Sequence, residues 1–166
     1  MDKTKVQLGY EAGLNDYARR EKAAVELINA VGTLMYDKGV ELVLFRNQLV
    51  EISISEVINL FMDYAEKVVN KPINIETSAK LAKAILAIDL APSKIDIGRL
   101  TSEYFLAGNA GSHADFLKTK LTSFIGQDKH TFEPKDVILY GFGRIGRLVA
   151  RELIKQDGKG QQLRLR

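Results

Sequence analysis

One stretch limits the fold more than any other. Asp136-Val-Ile-Leu-Tyr140 is a short apolar run, and it passes directly into Gly141-Phe-Gly-Arg-Ile-Gly146 and then into an amphipathic segment. The run has the character of a parallel strand covered on both faces. A strand that delivers its C-terminal end to a tight glycine turn, with a helix starting at once, has a definite chemical use. Gly141 permits the turn, Gly143 lets a pyrophosphate approach the backbone, and Gly146 lets the helix lie close to the strand. The free amides and the positive end of the helix dipole then hold phosphate charge. Ile145, Leu148, Val149 and Leu153 are available to pack on a sheet. The bare spacing of three glycines is weak evidence; the order strand, turn, helix raises it to an expected dinucleotide site. The acidic residue that binds the ribose hydroxyl about 20 positions further on falls at or past Arg166.

The grammar before this point is different. From about Asp16 to Lys38, Ala24, Ile28, Val31 and Met35 lie on one helical stripe, supported by Leu27 and Leu34, and Gly39 is a natural stop. Val40 to Val50 fits either a strand or an extended connector. Ser53 and Glu56 have the spacing of a capping box, with Ile52 and Val57 as its hydrophobic staple. Ile54, Val57, Ile58, Phe61, Ala65 and Val68 then trace a helical face that Pro72 ends. A third helix is expected from Asn74 or Thr77, carrying Leu81, Ile85 and Ile88. Pro92 separates it from a fourth, Asp96 to Ala107. A fifth starts at Ser112 with Asp115 and carries Leu117, Leu121 and Phe124 up to Gly126.

The expected fold class is therefore mainly α, a bundle of about five helices, followed by an incomplete α/β Rossmann start. Residues 1–126 form the helical domain. Residues 127–135, polar and containing Pro134, form the linker, and residues 136–166 the first strand, loop and helix of a nucleotide-binding domain with part of a second strand.

Composition narrows the functions. The chain has no cysteine, which excludes disulfides, thiolate metal sites and a thiol nucleophile within it. No apolar run approaches the roughly 20 residues that span a bilayer, so no membrane partner is expected. The N-terminus lacks an apolar signal core, and a cytoplasmic location is expected. The formal charge of +3 is uneven: residues 136–166 hold seven Lys/Arg against three Asp/Glu, a net of +4, leaving −1 for the remainder. A protein basic only at one end is not expected to be a nucleic-acid binder. Arg144, Arg147, Arg151 and Lys155 are better explained as a solvated helix face. His113 and His130 lack partners for a metal site, and Asp89 and Asp96 lack a neighbouring acid for acid–base work; Asp96 has the place of an N-cap. No catalytic or metal-binding residue is expected in these 166 positions, and the aromatics fall mostly at core positions.

Tyr140-Gly-Phe-Gly-Arg-Ile-Gly-Arg-Leu148 resembles the first phosphate-binding turn of phosphorylating glyceraldehyde-3-phosphate dehydrogenases, and the likeness runs over about residues 136–155. Tyr140 departs from the Asn usual there, which bears on side-chain contacts from that position and not on the backbone cradle. Residues 1–126 resemble the helical N-terminal extension of a longer bacterial subgroup, through Val43-Leu-Phe-Arg-Asn-Gln-Leu49 and Ser53-Ile-Ser-Glu-Val57. The resemblance implies an NAD- or NADP-dependent oxidoreductase that converts a phosphorylated aldehyde to an acyl phosphate in glycolysis or gluconeogenesis. It implies that Gly141, Phe142, Gly143, Arg144, Ile145 and Gly146 form the cofactor site, with the amides of Arg144 and Ile145 facing the pyrophosphate. It also implies a homo-oligomeric parent enzyme whose catalytic cysteine and histidine lie downstream, this chain being its N-terminal portion. The 166 residues alone are then expected to be inactive and to hold no cofactor. Residues 136–166 are expected either to be loosely held or to be buried against another copy. The other reading makes the bundle a self-standing interaction or regulatory module with a vestigial dinucleotide-binding start.

Overall fold

The computed structural model describes residues 3–65, 67, 69–108, 111–126, 135–157 and 163–166, with backbone only for 3–8 and 156–157. The chain is mainly helical. Helix α1 (Lys3–Thr33) begins well before the expected Asp16, since no proline interrupts residues 3–15 and Gly9 and Gly13 only weaken the helix. It widens into a π-turn over Leu34–Lys38 and stops at Gly39, whose φ of 67° supplies the left-handed cap. Ala23, Ala24, Leu27, Val31, Leu34 and Met35 line its buried side.

Val40 to Val50 resolves as a hairpin: β1 (Val40–Leu44) pairs antiparallel with β2 (Asn47–Gln48). The two-residue turn places Phe45 and Arg46 at φ 45° and 75° without a glycine. A strand that the sequence reading did not separate, β3 (Ser93–Asp96), runs parallel to β1. Only Ile95 of its four residues is buried, so it carries no periodic signal of its own. Its partner makes it a strand.

Local caps set the remaining helix starts. Helix α2 (Ile54–Asn59) opens on the capping box, where Glu56 N–H donates to Ser53 Oγ at 3.3 Å and Ser53 N–H donates to the Glu56 carboxylate at 2.9 Å. A π-turn, Leu60–Ala65, continues it, and Val57, Ile58, Phe61 and Ala65 are buried; Val68 lies outside the described residues. Helix α3 (Ile75–Leu86) is capped by Asn74 Oδ1, which accepts from Thr77 N–H at 2.7 Å. Helix α4 (Ile97–Leu106) is capped by Asp96, which accepts from Arg99 N–H at 3.1 Å. Helix α5 (His113–Lys120) is capped by Ser112.

These elements share one core in which α1 packs chiefly on α3 and α3 also meets α4 and α5. Between α3 and α4 the hydroxyls of Ser78 and Thr101 are 2.8 Å apart, both buried. Phe124 departs from its expected stripe: it sits in a 3-10 turn past α5 and is 38% exposed, whereas Leu117 and Leu121 are buried.

After residue 134 the chain forms β4 (Lys135–Val137), α6 (Arg144–Asp157) and β5 (Leu163–Leu165). The two strands are parallel with α6 between them in sequence, a βαβ unit. The expected linker residues 127–134 lie outside the described residues. Among the described residues no helix is long and apolar enough to cross a membrane.

Candidate functional site

The glycine turn connects β4 to α6, and each glycine of the motif meets a different steric condition. Gly141 has φ +95°, a conformation that side chains rarely adopt. At Gly146 an added Cβ would lie 2.3 Å from the carbonyl oxygen of Gly141, so the first turn of α6 closes directly onto the bend. At Gly143 an added Cβ would meet nothing within 4 Å. The bend is therefore tight on its inner side and open at its middle.

The first helical bond of α6 runs from Arg147 N–H to Gly143 O at 3.0 Å. The amides of Arg144, Ile145 and Gly146 precede it and have no carbonyl one turn back to bond. No acidic residue stands in the first turn of α6, and Arg144 and Arg147 are exposed beside it. Oriented dipoles and side chains thus give this end of the helix one sign of potential, positive. Such an arrangement can receive a compact dianion at the backbone.

Pairing in β4 stops at Val137, short of the expected Asp136–Tyr140. A strand needs a partner, and β5 reaches only Leu165, opposite Val137, with a last bond from Arg166 N–H to Val137 O at 3.0 Å. By this register Arg166 is level with Ile138, two residues short of Tyr140, so it lies below the turn and not beside it. Among the described residues the strand is not covered on both faces: Ile138 is 79% exposed and Tyr140 fully exposed, while Val137 and Leu139 are half-buried. The helix packing also differs from expectation. Ala150 is buried and Gly146 and Leu153 are half-buried, an i, i+4, i+7 stripe, whereas Ile145, Leu148 and Val149 point outward.

A charge cluster that the sequence reading missed ties the strands together. Arg164 Nε donates to Asp136 Oδ1 at 2.7 Å and Arg166 Nε to Oδ2 at 3.4 Å. The Arg164 hydrogen bond, more than its charge or that of Arg166, holds the Asp136 carboxyl below its ordinary value. The available signal was period-two alternation: Arg164 and Arg166 share one face of a strand, and so does its neighbour Asp136.

The other residues weighed from sequence have structural surroundings. His113 stacks on Tyr104 with centroids 4.9 Å apart, and His130 lies outside the described residues. Asp89 lies past the end of α3 and not within it. Asp96 accepts from Phe45 N–H at 3.0 Å as well as from Arg99, fastening the strained hairpin turn to the start of α4. Glu103 joins Arg99 and Lys120; the Lys120 hydrogen bond leads in lowering its pKa. Among the described residues no three potential metal ligands gather.

The fold is a βαβ unit with a glycine turn on a mainly helical protein. No family model matches the chain. The chain is 39% identical over 95 residues to a glyceraldehyde-3-phosphate dehydrogenase-like protein of Pseudomonas aeruginosa (strain UCBPP-PA14). That stretch is 57% of this chain and 21% of the relative, so the likeness is partial and spans a small share of the relative's length.

Proposed function

We propose that residues 135–166 are the pyrophosphate-gripping start of an NAD- or NADP-binding unit, and that the chain belongs to an oxidoreductase resembling glyceraldehyde-3-phosphate dehydrogenase. The observation that carries this reading is the pairing of a closed inner bend with an open middle. Gly146 is needed for α6 to meet Gly141, while among the described residues nothing beyond its chain neighbours comes within 4 Å of a Cβ placed on Gly143. The partial match to a dehydrogenase-like protein supports the same reading. In this role the amides of Arg144 and Ile145 donate to the pyrophosphate, and the α6 dipole offsets its charge. Gly141, Phe142 and Gly143 shape the approach. The cofactor, when bound, supplies the hydride acceptor for oxidation of a phosphorylated aldehyde to an acyl phosphate. The 166 residues contain no cysteine, so a thiol that attacks the aldehyde is not among them.

Amide chemical shifts of the 166-residue chain titrated with NAD and with inorganic pyrophosphate test the cradle. Shifts centred on Gly143, Arg144 and Ile145 in the millimolar range are expected from pyrophosphate, with NAD binding little if at all, because one strand and one helix do not enclose its adenosine. Silence at those amides with saturating pyrophosphate would reject the reading. No reduction of NAD with glyceraldehyde 3-phosphate and phosphate is expected from this chain alone; turnover would show that catalytic groups had been assigned to the wrong residues.

A further inference from the structure

With no cysteine in the chain, its sulfur is confined to three methionines. Met1 lies outside the described residues, Met35 is 2% exposed and Met62 is 40% exposed. Met62 belongs to the π-turn Leu60–Ala65, in which Phe61 and Ala65 are buried. Its sulfur meets α1: Arg20 Nη1 donates to Met62 Sδ at 3.1 Å, joining residues 42 positions apart. The other amino group of that guanidinium, Nη2, is held by Asp16 Oδ2 at 2.8 Å, one helical turn back on α1. A charged donor fixed in place thus points at a thioether, which is only a weak acceptor. Arg19, Arg20, Phe61, Met62, Asn74 and Glu76 help to line a cavity of about 150 Å³ beside this contact. A whole water needs only about 10–15 Å³, so there is room for one more oxygen.

We propose that Met62 is an oxidation site, at which conversion of the thioether to the sulfoxide fastens the π-turn to α1 through Arg20. A lone pair of Sδ attacks one oxygen of hydrogen peroxide. The S–O bond forms, the O–O bond breaks, and the second oxygen leaves as water with the proton of the first. Sulfur is oxidised by two electrons and the peroxide is reduced. Sulfur has two lone pairs, so the contact with Arg20 leaves one for the oxidant. Methionine oxidation ordinarily disrupts packing, because a flexible apolar side chain becomes polar. At Met62 the new oxygen meets a guanidinium already in place, and hydrogen bonds from an ionised donor are roughly twice as strong as neutral ones. The usual sign is therefore reversed. Two thiols undo the change: they join as a disulfide and the sulfoxide oxygen departs as water. This chain has no thiol, so the reductant is a separate molecule. The inference is independent of nucleotide binding.

Mild treatment of the 166-residue chain with hydrogen peroxide, followed by tryptic mass analysis and amide exchange, tests it. Trypsin places Met62 in the peptide 47–67 and Met35 in 23–38, so the two are read separately. The first peptide is expected to gain one oxygen well before the second. Exchange protection at Phe61–Ala65 is then expected to rise severalfold on oxidation in the natural chain and to fall in Arg20→Ala, each compared with its own reduced form. Met62→Gln, whose amide oxygen stands in for the sulfoxide oxygen, is a second measurement that needs no oxidant. It is expected to show the raised protection without peroxide, and Met62→Leu to show none with or without it. Oxidation of Met35 ahead of Met62, a loss of protection on oxidation of the natural chain, or an equal rise in Arg20→Ala would each overturn the inference.

Discussion

Replacing Gly146 by alanine sets two effects of opposite sign against each other, and the structure decides between them. Within a helix, alanine is ordinarily better than glycine by roughly 0.5–1 kcal/mol, so propensity alone predicts a tighter α6. Here the new methyl would stand 2.3 Å from the Gly141 carbonyl oxygen. Carbon and oxygen approach to about 3.3 Å even in favourable contacts, so a displacement of about 1 Å is required. The obstructing atom is backbone, and it belongs to a residue held at φ +95°, so it cannot swing aside as a side-chain tip does. Overpacking of this kind costs about 1–3 kcal/mol. The net expectation is a loss of about 1–2 kcal/mol confined to the βαβ unit, equivalent to a 5–30-fold drop in protection. Amide hydrogen exchange of α6 from Leu148 to Leu153 reads it directly, with the amides of α1 and α3 as unchanged internal controls. Equal or greater protection of α6 in Gly146→Ala would show that the helix does not need to close on the turn, and the steric account of the motif would fail.

Three further outcomes follow from other parts of the structure. Asp96→Ala removes the acceptor for both Phe45 N–H and Arg99 N–H and is expected to cost about 1–3 kcal/mol in urea unfolding, with Asp96→Asn recovering most of it. Ser53→Ala, which breaks the capping box of α2, is expected to cost about 1 kcal/mol by the same assay. Asp136 has a folded pKa held below its unfolded value. Its contribution to β4–β5 pairing is therefore present above the ordinary carboxylate pKa of about 4 and is lost as pH falls through the lower folded value. Exchange protection at Leu163–Leu165 should fall over that acidic range in the natural chain and show no such fall in Asp136→Asn.

What could be read ahead of the structure was what the chain decides locally. The caps at Ser53, Asn74, Asp96 and Ser112 each satisfy a helix amide within three residues, so a short window contains the whole cause. The stripe on α1 is legible for the same reason, because one helical period defines the buried side. The small sheet was not legible. Asp96 sits where a helix cap is expected, yet it also ends β3 and fastens Phe45, 51 positions earlier in the chain. Phe45 and Arg46 hold left-handed backbone without being glycine, so no turn signal marks the hairpin; Gly98, where a Cβ would stand 2.9 Å from both Leu44 and the Phe45 ring, lets α4 start close against it. At the candidate site the positions were legible and their surroundings were not. The motif fixed which residues form the turn, but the expected contact of Ile145 and Leu148 with a sheet presumed more strands than β4 and β5 provide.

The three motif glycines do not carry equal weight about a ligand. Gly141 is accounted for by its left-handed backbone and Gly146 by its contact with Gly141, and both reasons would hold for a turn that binds nothing. Gly143 has neither reason: its backbone is outside the left-handed region, and among the described residues a Cβ there would meet no atom within 4 Å beyond its chain neighbours. If folding were the whole explanation, alanine should serve at this position as well as glycine. Gly143→Ala is therefore expected to leave the exchange protection of α6 unchanged while weakening the pyrophosphate-induced shifts at Arg144 and Ile145 severalfold, because the methyl occupies the approach to those amides. Unaltered pyrophosphate shifts in a normally folded Gly143→Ala chain would leave the middle glycine with no role at all, and the open bend would then be only a bend.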